Sequence, residues 1–322
     1  MAKAQAISPS LIEDRWTPYM LVLLGIIIGA SAPICVRLAQ AENVPSLMIA
    51  FSRLALSALV LTPFALKQYP HEIRNLSQRD FIYTALAGLM LAGHFATLFI
   101  AFQNASILIA GVIAGSSPLW VALLEVFVLK ARLSRVVWFG LFLALAGGVV
   151  IGLGGDSTTV TAGQNLMVGV GLALASAIFA AVYLIAGRRV RTHMPLLLFL
   201  WLVFSFAAIS ALMIVILTGT SLVGYSLEGY FWLLVLTIGA QLIAQSAFNY
   251  SLAYLSATFI SIAGQAVTVV ASIGAFLIFS EVPQPLQILG SVVLVIGVIL
   301  ASVGQSRPVI SPDAVLPESP DN

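Results

Sequence analysis

Ten runs of mostly apolar residues, joined by short polar connections, leave this chain few ways to fold. They cover about Pro18–Leu38, Pro45–Leu66, Phe81–Phe102, Ser106–Leu129, Val136–Leu153, Asn165–Ala186, Pro195–Leu217, Tyr230–Tyr250, Ala257–Phe279 and Leu286–Val303. Each is close to the ~20 residues that a helix needs to cross a bilayer. The 322 residues are 61% hydrophobic and 8% charged. A soluble globular chain carries about 25% charged residues, so no water-facing surface can be built from these. An ordinary soluble enzyme, a nucleic-acid-binding domain and a disordered protein are thereby excluded. The runs are too long for barrel strands and lack strict alternation. The expected class is an all-α membrane protein with ten transmembrane helices.

Charge placement gives the orientation. Ten spans put both termini on one side. That side holds Lys3, Arg15, Lys67, Arg74, Arg79, Lys130, Arg132, Arg135, Arg188, Arg189, Arg191 and Arg307, which is 12 of the 14 Lys and Arg residues. The opposite loops hold Glu42, Asp156, Glu228 and Glu281. Positive loops stay cytoplasmic, so both termini are expected inside. The tails 1–17 and 304–322 are polar, and the second, with four prolines from Arg307 onward, reads as disordered. The first run is too long for a signal-peptide core and reads as an uncleaved span. Cys35 is the single cysteine, which excludes an intramolecular disulfide and reads as a buried thiol.

The chain matches itself at an offset of 150 residues. Gly140 falls on Gly290, Gly147 on Gly297, Pro45 on Pro195 and Ser106 on Ser256. The repeat unit is five helices, spanning 18–155 and 165–303 with an external loop at 156–164 between them. Five is odd, so the second copy enters the membrane inverted, as in many transporters. The paired glycines also suit close helix packing.

Polar residues within the spans form stripes. Gln241, Gln245 and Asn249 recur at i, i+4 and i+8, and Ser261, Gln265, Thr268 and Ser272 fall on one face of the next span. Span six presents Gly169, Ala173, Ser176, Ala180, Tyr183 and Gly187 on one face. Such stripes either line a shared polar cavity or bond helices together. His94 and Glu125 are ionisable residues within spans, and either could recognise charge or carry a proton; the bland alternatives are a helix-bonded imidazole and a snorkelling carboxylate. Arg53 lies about two turns into span two, and Glu42 is a possible partner. Pro33 and Pro118 remove backbone hydrogen bonds mid-span and suggest broken helices near a site. Trp120 is either cavity wall or lipid-facing bulk. There is no P-loop, no dinucleotide turn and no cluster with metal spacing, so neither a cofactor nor a metal is expected. The Lys130–Arg135 and Arg188–Arg191 clusters read as topology determinants rather than nucleic-acid sites.

These residues resemble the EamA-type branch of the drug/metabolite transporter superfamily. The likeness runs from about Pro18 to Val303. It is carried by Gly93-His94-Phe95 with Ala101-Phe102-Gln103-Asn104-Ala105-Ser106, by Ser117-Pro118-Leu119 with Arg132-Leu133-Ser134, and by Arg53 in span two. In the second half Asn249-Tyr250-Ser251-Leu252-Ala253-Tyr254-Leu255 and Ser280-Glu281-Val282-Pro283 carry it. The chain departs from the family pattern at Ala131, where an acidic residue is usual, and at Thr268, where proline is frequent; Glu281 is retained. The resemblance implies a central cavity lined by helices of both repeats.

The expectation is therefore a secondary transporter in an inner membrane. It would export or exchange a small metabolite, amino acids or related compounds, by alternating access. The lipid bilayer is its setting, protons are a candidate partner, and a monomer or a homodimer is expected. Gln241, Gln245, Asn249, Gln265, Thr268, Trp120 and Tyr183 are the candidate substrate contacts. His94 and Glu125 are candidates for proton coupling or charge recognition, and Arg53, Pro33, Pro118 and Glu281 for structure or gating. A passive channel and a non-transporting receptor are the alternatives.

Overall fold

The computed structural model describes residues 16–129, 134–153, 165–255, 257–280, 282 and 284–304. The proposed tails, apart from residues 16, 17 and 304, lie outside the described residues, as do the loop at 156–164, Glu281, and the side chains of Glu125, Ser261 and Gln265. Every described element is helical. In order they are α1 (Thr17–Gly29), α2 (Ser31–Ala41), α3 (Ser46–Gln68), α4 (Pro70–Arg74), α5 (Gln78–Asn104), α6 (Ile107–Ala114), α7 (Ser117–Leu129), α8 (Arg135–Leu153), α9 (Leu166–Arg191), α10 (Leu196–Leu217), α11 (Leu227–Val235), a π-helix (Leu236–Ala244), α12 (Gln245–Ser251), α13 (Ala257–Phe279) and α14 (Pro285–Gly304). Seven stretches are long and apolar enough to cross a membrane: Thr17–Ala41, Ser46–Gln68, Gln78–Asn104, Ile107–Leu124, Leu166–Arg191, Leu196–Leu217 and Leu227–Ser251. Shorter apolar helices run over Arg135–Val150, Ala266–Phe279 and Ile288–Gly297. The chain is thus a multi-pass membrane protein.

Local chemistry explains where the helices start. Ser77, Ser106 and Ser226 each accept a hydrogen bond from the backbone N–H three residues on, and Asn165 accepts from Met167 and Val168. Each cap satisfies a donor that the first turn leaves without an intrahelical partner. Local chemistry also explains the breaks. Between α6 and α7, Ser116 N–H donates to Ile113 and Leu119 N–H to Ser116, both i to i−3, beside Pro118, which has no N–H to give. Pro33 sits in the first turn of α2, just past the α1–α2 junction at Ala30.

The outer face is apolar, with Leu59, Phe139, Phe142, Leu217 and Leu277 among its most exposed side chains. Such a surface suits lipid. Inside, α3 packs on α10, α5 on α9 and α10, and α8 on α14. The last contact is nearly backbone to backbone. A Cβ on Gly147 would stand 2.5 Å from Leu294 N and 2.6 Å from the Gly290 carbonyl oxygen. A Cβ on Gly297 would meet Ala144 N and stand 2.6 Å from the Gly140 oxygen. The two contacts are reciprocal at the 150-residue offset, as in a self-complementary two-fold interface.

Candidate functional site: a cavity between the two halves

A cavity of about 240 Å³ lies at the centre of the bundle, walled by residues from both halves of the chain. The first half contributes Pro33 beside the α1–α2 break, Arg53 from α3, His94, Phe95, Phe99 and Phe102 from α5, and Gly115 and Ser117 from the α6–α7 break. The second half contributes Tyr183 from α9, Gln245 and Phe248 from α12, and Thr268 from α13. Broken helices reach the wall on two sides, and a π-helix on a third through Ala240 and Ala244. π-turns inside longer helices are frequent at functional sites.

Arg53 is the most constrained of these groups. It is 3% exposed, and its Nε donates to Gln241 Oε1 at 2.7 Å. Its guanidinium carbon stands 3.8 Å over the centre of the Phe95 ring, with Phe99 at 5.6 Å. Cation–π contact and the amide oxygen share the work of burying the charge. The expected Glu42 partner is not used. Glu42 instead accepts from Ser226 Oγ at 2.5 Å, because the turn after α2 carries its carboxylate to the cap of α11.

His94 is tied to α9. Its Nδ1 lies 3.0 Å from the Ser176 carbonyl oxygen and 2.8 Å from Ser176 Oγ. Its Nε2 makes no hydrogen bond among the described residues. The opposite wall is a chain of neutral groups. Gln245 Nε2 donates to Tyr183 Oη at 3.1 Å, and Tyr183 Oη donates to Asn249 Oδ1 at 2.5 Å. The chain continues to Arg191, whose Nε donates to the Asn249 carbonyl at 3.0 Å.

The residues singled out in the sequence therefore divide. Pro33, Arg53, His94, Tyr183, Gln245 and Thr268 line the cavity. Gln241 and Asn249 stand behind the wall, 0% and 1% exposed, and hold Arg53 and Tyr183 in place. Trp120 packs, half-buried, against the core, and Pro118 is buried next to the lining residue Ser117. Glu125 and Gln265 have no described side chain, and Glu281 lies outside the described residues. Thr268 Oγ1 reaches the Gly111 carbonyl at a long 3.4 Å. The sequence reading missed the aromatic wall. Phe95, Phe99 and Phe102 recur at i, i+4 and i+7, a helical stripe that was there to be read.

No curated protein matches the chain. One solved structure, described only as a crystal structure of a protein, is 21% identical and superposes with a TM-score of 0.65, covering 90% of this chain and 97% of that one. That likeness concerns the fold. The family comparison concerns the sequence, and it finds the same unit twice, over residues 16–153 and 167–303. With two copies of that unit and a cavity walled by both, the chain belongs to the EamA-like transporter family, whose members are membrane transporters of small molecules and not enzymes.

Proposed function

We propose that this protein is a secondary carrier that exports or exchanges small metabolites, amino acids and related compounds, by alternating access. Its ten helical stretches serve as ten spans, arranged as two inverted five-helix repeats. Rocking of one half against the other around the cavity exposes it to each side in turn. The membrane is an inner membrane, and both termini face the cytoplasm, as the excess of Lys and Arg on that side supports. Gln245, Tyr183 and Thr268 meet the substrate by hydrogen bonding, with Gln265 from the same stripe as Thr268. His94 Nε2 is the group that would receive a proton or a substrate N–H, and Glu125 is retained as a second ionisable candidate.

The observation that carries the proposal is a cavity of about 240 Å³ walled by both repeats, with interrupted helices at its edge. Interrupted helices free backbone groups for a ligand and provide places to bend. The test is counterflow in proteoliposomes loaded with unlabelled metabolites. Uptake of labelled substrate that requires internal unlabelled substrate is the expected result. Uptake indifferent to internal substrate would indicate a channel and overturn the carrier reading. A pH gradient that changes the rate in the native protein and not in His94→Asn would assign His94 to proton coupling.

A further inference from the structure

Among the described residues the charge on Arg53 has no counter-ion. Arginine is always protonated in proteins. The Arg53 Nε–Gln241 contact is the one hydrogen bond of this side chain among the described residues, which leaves both Nη groups without an acceptor. None of the described carboxylates forms an ion pair with Arg53. Glu42 is bonded to Ser226, Asp80 to Ser77 and His193, and Glu72 and Glu228 lie in the first turns of α4 and α11. An unpaired buried cation is strongly unfavourable unless something fills the vacant acceptor positions. Yet Arg53 lines the cavity, held rigid by an amide oxygen behind it and a ring beneath it.

We infer that Arg53 is the docking point for the carboxylate of an organic anion, and that the negative charge is a requirement for entry into the site. The geometry suits this ligand. A guanidinium fixed at Nε still presents Nη donors, and the planar fork matches a carboxylate. The single cation favours a single negative charge. Phe95, Phe99, Phe102 and Phe248 beside it call for an apolar or aromatic body behind the acid group. Among the described lining residues there is no carboxylate to pair with a cationic amine. The inference rests on the carrier reading and narrows it to compounds bearing a carboxylate.

The test is a charge series on one body. Binding of phenylacetate, phenylalanine, phenethylamine and phenylethanol to the purified full-length chain would be measured by calorimetry and by thermal stabilisation. Phenylacetate and phenylalanine are expected to bind. Phenethylamine and phenylethanol are expected to bind roughly tenfold to a hundredfold more weakly, the loss of a charge-assisted hydrogen-bond pair. Amine or alcohol binding as tight as the acids overturns the inference, and so does failure of all four at millimolar concentration. Arg53→Gln should lose acid binding and Arg53→Lys should keep part of it. The charge series on the native protein decides the matter even if both variants misfold. Counterflow separates this inference from the carrier proposal. Acid binding without flux removes the carrier and keeps the docking point, whereas flux of phenethylamine keeps the carrier and removes the docking point.

Discussion

The two walls of the cavity come from equivalent parts of a repeated unit and are chemically opposite. At the 150-residue offset, Arg53 corresponds to Val203, His94 to Ala244, Phe95 to Gln245 and Phe99 to Asn249. In the other direction Tyr183 corresponds to Pro33 and Thr268 to Pro118. The first half thus supplies a cation on an aromatic bed, and the second a neutral chain of amides and a phenol. Where α8 meets α14 the opposite holds, and the glycine contacts match pair for pair. The duplication has kept its framework where backbones touch and diverged where side chains line the cavity. A cavity with unlike ends can orient an asymmetric molecule.

Five substitutions would break or sharpen that contrast. The largest effect is expected in the shared framework. Gly147→Leu and Gly297→Leu should each cost roughly 3 kcal/mol or more, because the new side chain meets backbone that cannot move aside. Yield of monodisperse protein and its melting temperature would show it, and a large difference between the two would refute the reciprocal seam. Next comes the ionic wall. Gln241→Leu removes the acceptor behind Arg53 and should destabilise the fold by about 1.5–3 kcal/mol, the range for hydrogen bonds to charged groups. A melting temperature unchanged from native would show that the guanidinium finds another partner. The neutral wall should be softer. Tyr183→Phe deletes one hydroxyl shared by Gln245 and Asn249 and should cost about 1–2 kcal/mol, read in the same melt. Smallest is Thr268→Val, which removes one neutral hydroxyl from the substrate contacts and should weaken substrate affinity by about twofold to tenfold. Affinity equal to native would remove Thr268 from the substrate contacts.

The sequence made the frame easy to read, since in lipid every span must satisfy its own backbone and therefore writes itself as a long apolar helix. It showed the site less evenly. The amide stripe was visible, but its three members do different jobs. The spacing of Gln241, Gln245 and Asn249 assumes a regular α-helix, and the π-helix over Leu236–Ala244 changes the rotation at its first member. Gln241 therefore turns to Arg53 while Gln245 lines the cavity. Partner choice was hidden for a different reason. Glu42 is near Arg53 in sequence, yet the bonded partner lies 188 positions away. Only the packing of the π-helix on α3 brings the two together. The aromatic bed looked like ordinary apolar span, because in so apolar a chain a phenylalanine stripe carries little contrast.

The bare guanidinium of Arg53 also has an electrical meaning. A carrier whose site holds an acid crosses with that charge neutralised, whereas the same carrier returning empty moves a net positive charge through whatever share of the field the site traverses. A full elementary charge across the membrane is worth about 2.3 kcal/mol per 100 mV. Voltage then acts on the empty return and leaves the loaded step alone. One acid traded for another would run at a rate indifferent to membrane potential, and one-way efflux would not.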